Sequence, residues 1–153
     1  MSDLRKNFFN LMADAAKKDK KFHLLVGDLG YSFYEEYAER FPDQFTNAGI
    51  AEQSMIGIAA GMAREGMKPV VYSSAIFLVM RALEQIRDDI CYPNLNVKLI
   101  GTGAAEFLGF THVQNPKNEC KLILENFPNI DIWDKEYLNM STLTEIGPRF
   151  IQL

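Results

Sequence analysis

The sequence is poor in the residues that build metal centres and covalent scaffolds. It has two cysteines, Cys91 and Cys120, and two histidines, His23 and His112. Two cysteines so far apart make neither a disulfide framework nor a zinc site, so buried or free thiols in a reducing cytosol are expected. Two histidines exclude a histidine-rich metal centre. No run is long and apolar enough to span a bilayer. The start, Met1 to Lys6, leads into an amphipathic helix and not a signal peptide. Cytoplasmic localisation is the expectation, with no membrane contact. An excess of basic charge is also missing: the formal net charge is -4. The one basic cluster, Lys17 to Lys21, is interrupted by Asp19 and reads as a solvated helix end, so nucleic acid is not expected as a partner. There is no complete Gly-x-Gly-x-x-Gly fingerprint; Gly101-Thr102-Gly103 alone is a weak phosphate signal.

What is present suits one soluble globular domain. Of 153 residues, 48% are hydrophobic and 24% charged, enough for a sizeable core. Apolar positions Leu4, Phe8, Leu11, Met12, Ala15 and Ala16 predict a helix over 3–19, with Ser2 able to cap it. Phe22 to Val26 reads as a buried strand. Residues 33–41 predict a short helix with an aromatic stripe, ended by Pro42-Asp43. Phe45 to Asn47 is a brief extended piece. Strands follow at Pro69 to Ser73, Val97 to Ile100, Ile130 to Trp133 and Arg149 to Leu153. Helices are expected at about Ile76 to Ile90 and 117–126, and a weaker one from Lys135 to Glu145. Alternation of this kind predicts an α/β fold, a three-layer sandwich with a mostly parallel sheet between helices. Functional groups then collect at the carboxyl ends of the strands. Four loops meet that condition: Gly27-Asp28, Asn47 to Glu52, Ser73 to Phe77, and Gly101 to His112. His23 is expected at a strand edge or facing solvent.

Residues 46–65 are unusual. A glycine turn leads into a helix made mostly of small and apolar residues, with one acid, Glu52, in its first turn beside Gln53. Small residues dominate nearly every face, so burial is expected all round. A buried carboxylate must be hydrogen-bonded, neutralised or given a ligand, because unpaired burial costs several kcal/mol. On position alone, Glu52 reads as an acid favoured by the helix macrodipole.

Asn47-Ala48-Gly49-Ile50-Ala51-Glu52-Gln53, the strand Pro69 to Ser73, and Arg81-Ala82-Leu83-Glu84-Gln85-Ile86-Arg87 together resemble the pyrimidine-binding domain of transketolases. Deoxyxylulose-phosphate synthases and pyruvate dehydrogenase beta subunits share that domain. The resemblance runs in order over nearly the whole chain. It includes Gly27-Asp28-Leu29, Gly109-Phe110-Thr111-His112 and Gly147-Pro148-Arg149-Phe150-Ile151. It implies a thiamine diphosphate fold of the pyrimidine type. It implies that Glu52 contacts the aminopyrimidine ring of thiamine diphosphate and exchanges a proton with it, the cofactor carrying the hard step. A carboxyl group removed from water suits that exchange.

The same resemblance implies an aromatic cluster against the ring. Phe77 matches one of its positions, and the alternative for Phe77 is a core residue on an apolar stripe. Ser74 and Met80 stand three residues to either side, where transketolases more often carry aromatics. A thioether can still pack on a ring, so Met80 is kept as a cofactor contact. His112 matches a substrate-facing histidine, its alternative being a loop histidine bonded to backbone. Asp28 matches an acid near the cofactor. Arg81 and Gln85 read as helix residues at a subunit interface.

The diphosphate- and magnesium-binding domain, with its Gly-Asp-Gly motif, has no counterpart here, and neither has the C-terminal domain. Residues 1–153 are thus expected to be a single pyrimidine-binding domain, with no metal ligands of its own. Three readings stand open. The chain is one subunit of a split transketolase-like transferase, active in ketol transfer between sugars or sugar phosphates only with a diphosphate-binding partner chain that brings Mg2+. Or it is a non-catalytic scaffold or regulatory domain. Or it is an excised fragment of a longer enzyme. A homo- or hetero-oligomer through the small-residue helix and residues 81–90 is expected.

Overall fold

A computed structural model describes residues 4–103, 119–133 and 135–153. Among these, six strands form one sheet in which every pairing is parallel, in the order β2-β1-β3-β4-β6-β5. The strands are β1 (Phe22–Val26), β2 (Phe45–Asn47), β3 (Lys68–Ser74), β4 (Lys98–Thr102), β5 (Asp131–Trp133) and β6 (Arg149–Gln152). All six fall where the apolar runs place them, within a residue or two. The helices are α1 (Leu4–Lys18), α2 (Glu35–Arg40), α3 (Glu52–Arg64), α4 (Leu83–Gln85), α5 (Glu119–Leu124) and α6 (Met140–Thr144).

Successive strand side chains point to opposite faces, and the core divides accordingly. Leu25, Val71, Leu99 and Phe150 face one way, onto Met55, Ile56, Ala59 and Ala60 of α3 and onto Leu78, Val79, Ile86 and Ile90. Leu24, Val26, Val70, Tyr72, Ile100 and Ile151 face the other, onto Phe8, Phe9 and Met12 of α1, Tyr37 of α2 and Leu143 of α6. This is the three-layer sandwich expected from the alternation of elements. Cys91 and Cys120 sit in the first core. Burial pushes both thiols up to about 12, so they pack and do not react.

Three expectations need correction. The segment 76–90 is not one α-helix. Two π-helical stretches, Phe77–Arg81 and Ile86–Cys91, flank the single turn α4. A period-3.6 apolar pattern cannot distinguish these, and π turns gather at functional positions. The small-residue helix α3 is not buried all round. Met55, Ile56, Ala59 and Ala60 are inside, while Gln53, Ser54, Gly57, Ile58 and Gly61 are exposed. Small residues on every side carry too little contrast to show direction. His23, finally, lies in the interior strand β1, half-buried, with Nε2 2.8 Å from Thr46 Oγ1 on β2.

Two buried cations, Lys98 and Arg149, anchor the amino ends of β4 and β6. Lys98 Nζ donates to the side chain of Asn96 and to the carbonyls of Glu145 and Gly147, the last two at 2.7 Å. Arg149 pairs with Asp131 at 3.0 Å and Glu145 at 2.9 Å, and lies 3.7 Å from the centre of the Trp133 ring. Lys98→Met removes three hydrogen bonds to part-buried acceptors and is expected to cost about 1–3 kcal/mol in denaturant unfolding. Burial, helped by Arg149, pulls Lys98 down to about 7. Between that value and the ordinary lysine range, the unfolded chain holds a proton that the folded chain has released. This group's contribution to stability therefore rises with pH across that window. Melting curves from pH 7 to 9.5 should show the rise in the native chain and lose that component in Lys98→Met.

Candidate active site

Because all strands run the same way, their carboxyl ends share one rim. The chain leaves β1 toward β2 on one side and later leaves β3 toward β4 on the other. The crevice beyond β1 and β3 is thus the topological switch point, where such sheets bind ligands.

Two loops approach that crevice. After β2, Asn47 accepts from Gly49 N at 3.0 Å and from Asp28 N at 3.1 Å, and donates to Asp28 Oδ1 at 2.9 Å. Gly49 then turns the chain with φ 73, a left-handed conformation natural to glycine. Helix α3 begins at once with Glu52 as its first residue. The helix N-terminus favours a carboxylate there. Glu52 is 3% exposed.

Its carboxylate is hydrogen-bonded from two directions. Ser73, at the end of β3, donates to Oε1 at 3.3 Å. Gly27 makes room for that hydroxyl: a Cβ at position 27 would stand 3.0 Å from Ser73 Oγ. Arg81 Nη1 donates to both carboxylate oxygens, at 3.3 and 3.2 Å. The Arg81 guanidinium carbon lies 3.7 Å from the centre of the Phe77 ring. The guanidinium therefore touches both an acid and an aromatic face, and the Arg81 side chain remains 44% exposed.

The expected site residues separate as follows. Glu52 and Phe77 are brought together, joined through Arg81. Met80 is 42% exposed and lines a groove of about 440 Å3 shared with Gln53, Arg81, Leu83, Glu84 and Phe127. Asp28 is on the same rim, held by Asn47 and by the Tyr31 hydroxyl at 2.5 Å. Those two hydrogen bonds, Tyr31 first, lower its carboxyl below the usual range. Its hydrogen bonds go to the β1–β2 loops and none to Glu52. His112 lies outside the described residues. Ser74 is buried, and its hydroxyl has no hydrogen-bond partner among the described residues.

Arg81 has a role within the chain that its sequence context does not suggest: it is Glu52's ion-pair partner and Phe77's stacking partner. Ser73 also joins the site without any sequence signal of its own. The signal available for Arg81 is its spacing from Phe77, two residues four apart, together with the single acid of the small-residue helix.

Residues 1–112 match the family described as transketolase, pyrimidine binding domain. A component of apulose-4-phosphate transketolase from Phocaeicola vulgatus is 33% identical over 129 residues, covering 84% of this chain and 41% of the relative. The 6-deoxy-6-sulfo-D-fructose transketolase subunit SqwH from a Clostridium species is 31% identical over 160 residues, covering 98% of this chain and 49% of the relative. Among solved structures, a split-gene transketolase in the form of an inactive beta4 tetramer superposes with a TM-score of 0.84 at 30% identity. The match covers 98% of this chain and 50% of that one. The chain belongs to the transketolase pyrimidine-binding family. It spans about half, or less, of the length of these relatives.

The family uses thiamine diphosphate in general, so the residues can be tested against its aminopyrimidine ring. That ring needs a shielded carboxylate for its nitrogen edge and an apolar wall for its face. Glu52 and Phe77 supply both. Both already contact one planar, nitrogen-rich cation, the guanidinium of Arg81. The donor set fits. The aromatic wall is thin, because Ser74 points into the protein and Met80 is on the groove side.

Proposed function

We infer that this chain supplies the aminopyrimidine half of a thiamine diphosphate site in a transketolase-type transferase divided between polypeptides. The reaction class is ketol transfer between sugars or sugar phosphates. The partner chain would carry the diphosphate and Mg2+ ligands. The observation that carries this reading is Glu52: a buried carboxylate at a helix start, on the switch-point rim, linked through Arg81 to an aromatic ring. Glu52 would hold the ring's nitrogen edge and exchange a proton with it. Phe77, with Met80 beside it, would keep water from the ring's face. Asp28 remains the chain's candidate for a further contact near the cofactor, and His112 its candidate for contact with the substrate. When bound, the cofactor supplies the carbon nucleophile that the side chains lack. The apulose-4-phosphate and sulfofructose transketolase relatives are each named as one subunit of their enzyme, which supports a divided enzyme here.

The exposed face of α3 is the proposed subunit contact. Gly57 and Gly61 lie open there, and a Cβ at either meets nothing within 4 Å. With Ile50 and Ile58 exposed nearby, this is a surface that a second backbone can approach closely. Titration calorimetry with thiamine diphosphate and magnesium tests both points. The chain alone is expected to give no saturable heat, and the chain with its partner is expected to bind. Gly61→Leu should remove the partner-dependent binding while leaving the melting temperature unchanged or higher, since it improves helix propensity by about 1 kcal/mol. Full binding without a partner, or none with it, would overturn the divided-site reading.

A second reading has its own support. Ser74 and Met80 thin the aromatic wall, and both oxygens of Glu52 are already engaged. A domain of this form could serve as a regulatory binder on the same interface. Absence of thiamine diphosphate binding in the reconstituted pair, with the pair itself intact, would favour it.

A further inference from the structure

We propose that Arg81 is an internal occupant of the pyrimidine site, a side chain that holds the ring's place and must leave before the ring can enter. This rests on the reading of Glu52 given above. The geometry is specific. A guanidinium and a protonated aminopyrimidine share a flat shape, a positive charge and N–H donors along one edge. One Arg81 nitrogen, Nη1, donates to both oxygens of Glu52, at 3.3 and 3.2 Å, and the guanidinium carbon lies over Phe77, 3.7 Å from the ring centre. A carboxylate at the edge and an aromatic ring at the face are the two contacts that a pyrimidine would claim. Both cannot be satisfied by ring and arginine at once.

The side chain is also placed to depart. It is 44% exposed, so leaving Glu52 does not require unfolding. It lines the groove that also presents Glu84 and Asp88. Glu84, three residues further along, makes no ion pair among the described residues and can receive the guanidinium when it swings out. The empty pocket is thereby kept from holding a buried unpaired carboxylate, which would be costly. In exchange, the ring's affinity is reduced by the work of displacing Arg81.

The test uses two small probes on the full chain, with binding followed by calorimetry and by thermal shift. One probe is 4-amino-5-hydroxymethyl-2-methylpyrimidine, the ring half of thiamine. The other is methylguanidinium, which replaces the missing side chain. Arg81→Ala is expected to bind the pyrimidine at least about tenfold tighter than the native chain, and to bind methylguanidinium where the native chain does not. If methylguanidinium binds the variant but the pyrimidine binds neither protein, the place-holding role stands and the thiamine reading falls. If the pyrimidine binds the native chain as tightly as the variant, or more tightly, Arg81 does not stand in the ring's place and the inference fails. Failure of both probes to bind the folded variant also overturns it. Should Arg81→Ala be too unstable, Arg81→Lys carries the same test. It keeps the charge but cannot lie flat on Phe77, and about threefold tighter pyrimidine binding is expected.

Discussion

Glu52→Gln is expected to lower ketol transfer by the reconstituted two-chain enzyme by about 10²- to 10⁴-fold, the range for loss of a positioned acid–base group. Shape is preserved, since an amide has the same outline as a carboxyl. Its oxygen can still accept from Ser73 or Arg81. What is lost is the ability to exchange a proton with a ring nitrogen and to balance the charge that develops there. The stability effect should be small. Arg81 is nearly half exposed, so its share of the ion pair is screened by solvent and amounts to about 1 kcal/mol or less. The measurement is paired: steady-state turnover, and a urea unfolding midpoint on the same preparation. Turnover equal to that of the native protein would remove Glu52 from the chemistry. A large fall in the midpoint would make any loss of turnover uninformative, and Glu52→Asp would then replace it.

The second large effect is structural and lies across the sheet from no obvious motif. Gly101 is on β4, opposite Ser73 of β3. A Cβ added there would stand 2.8 Å from Ala75 Cβ, 2.9 Å from Ala75 Cα and 3.1 Å from a Phe150 ring carbon. Backbone cannot yield as a flexible side chain can. Gly101→Val should therefore cost about 3 kcal/mol or more, at the upper end for overpacked cores. Ala75 also leads the segment that carries Phe77 and Arg81. Whatever protein folds should hold Glu52 less well, and its pyrimidine binding should be weaker. Gly57→Ala is the matched control. The added methyl meets nothing within 4 Å, so stability should hold or rise by up to about 1 kcal/mol. Equal midpoints for the two variants would show that the close approach of Ala75 to β4 is not a real constraint.

These cases show where sequence patterns carry information and where they stop. The strands are legible because a doubly covered parallel strand is an unbroken apolar run, as in Phe22 to Val26 and Pro69 to Ser73. The rim is legible because parallel strands put their trailing loops at one end. Glu52 stands out as one acid in a helix of small residues. The exposed side of α3 is not legible, since Gly57 and Gly61 look alike whether they face a core, solvent or another subunit. Nor is the pairing of Arg81 with Glu52. It joins residues 29 positions apart, across two elements whose relative placement depends on the sheet beneath them. The π-helical turns shift faces without changing composition. The insertion of β6 between β4 and β5 leaves no mark on local periodicity either.

Both oxygens of the buried acid Glu52 are gripped by one half-exposed residue that belongs to another element and is not part of the core. With Arg81 as the proposed place-holder, affinity for the cofactor is decoupled from the architecture that supports it. On that proposal, a lineage could retune how readily the site fills by changing the codon at position 81 alone, leaving the acid, Phe77 and every strand untouched.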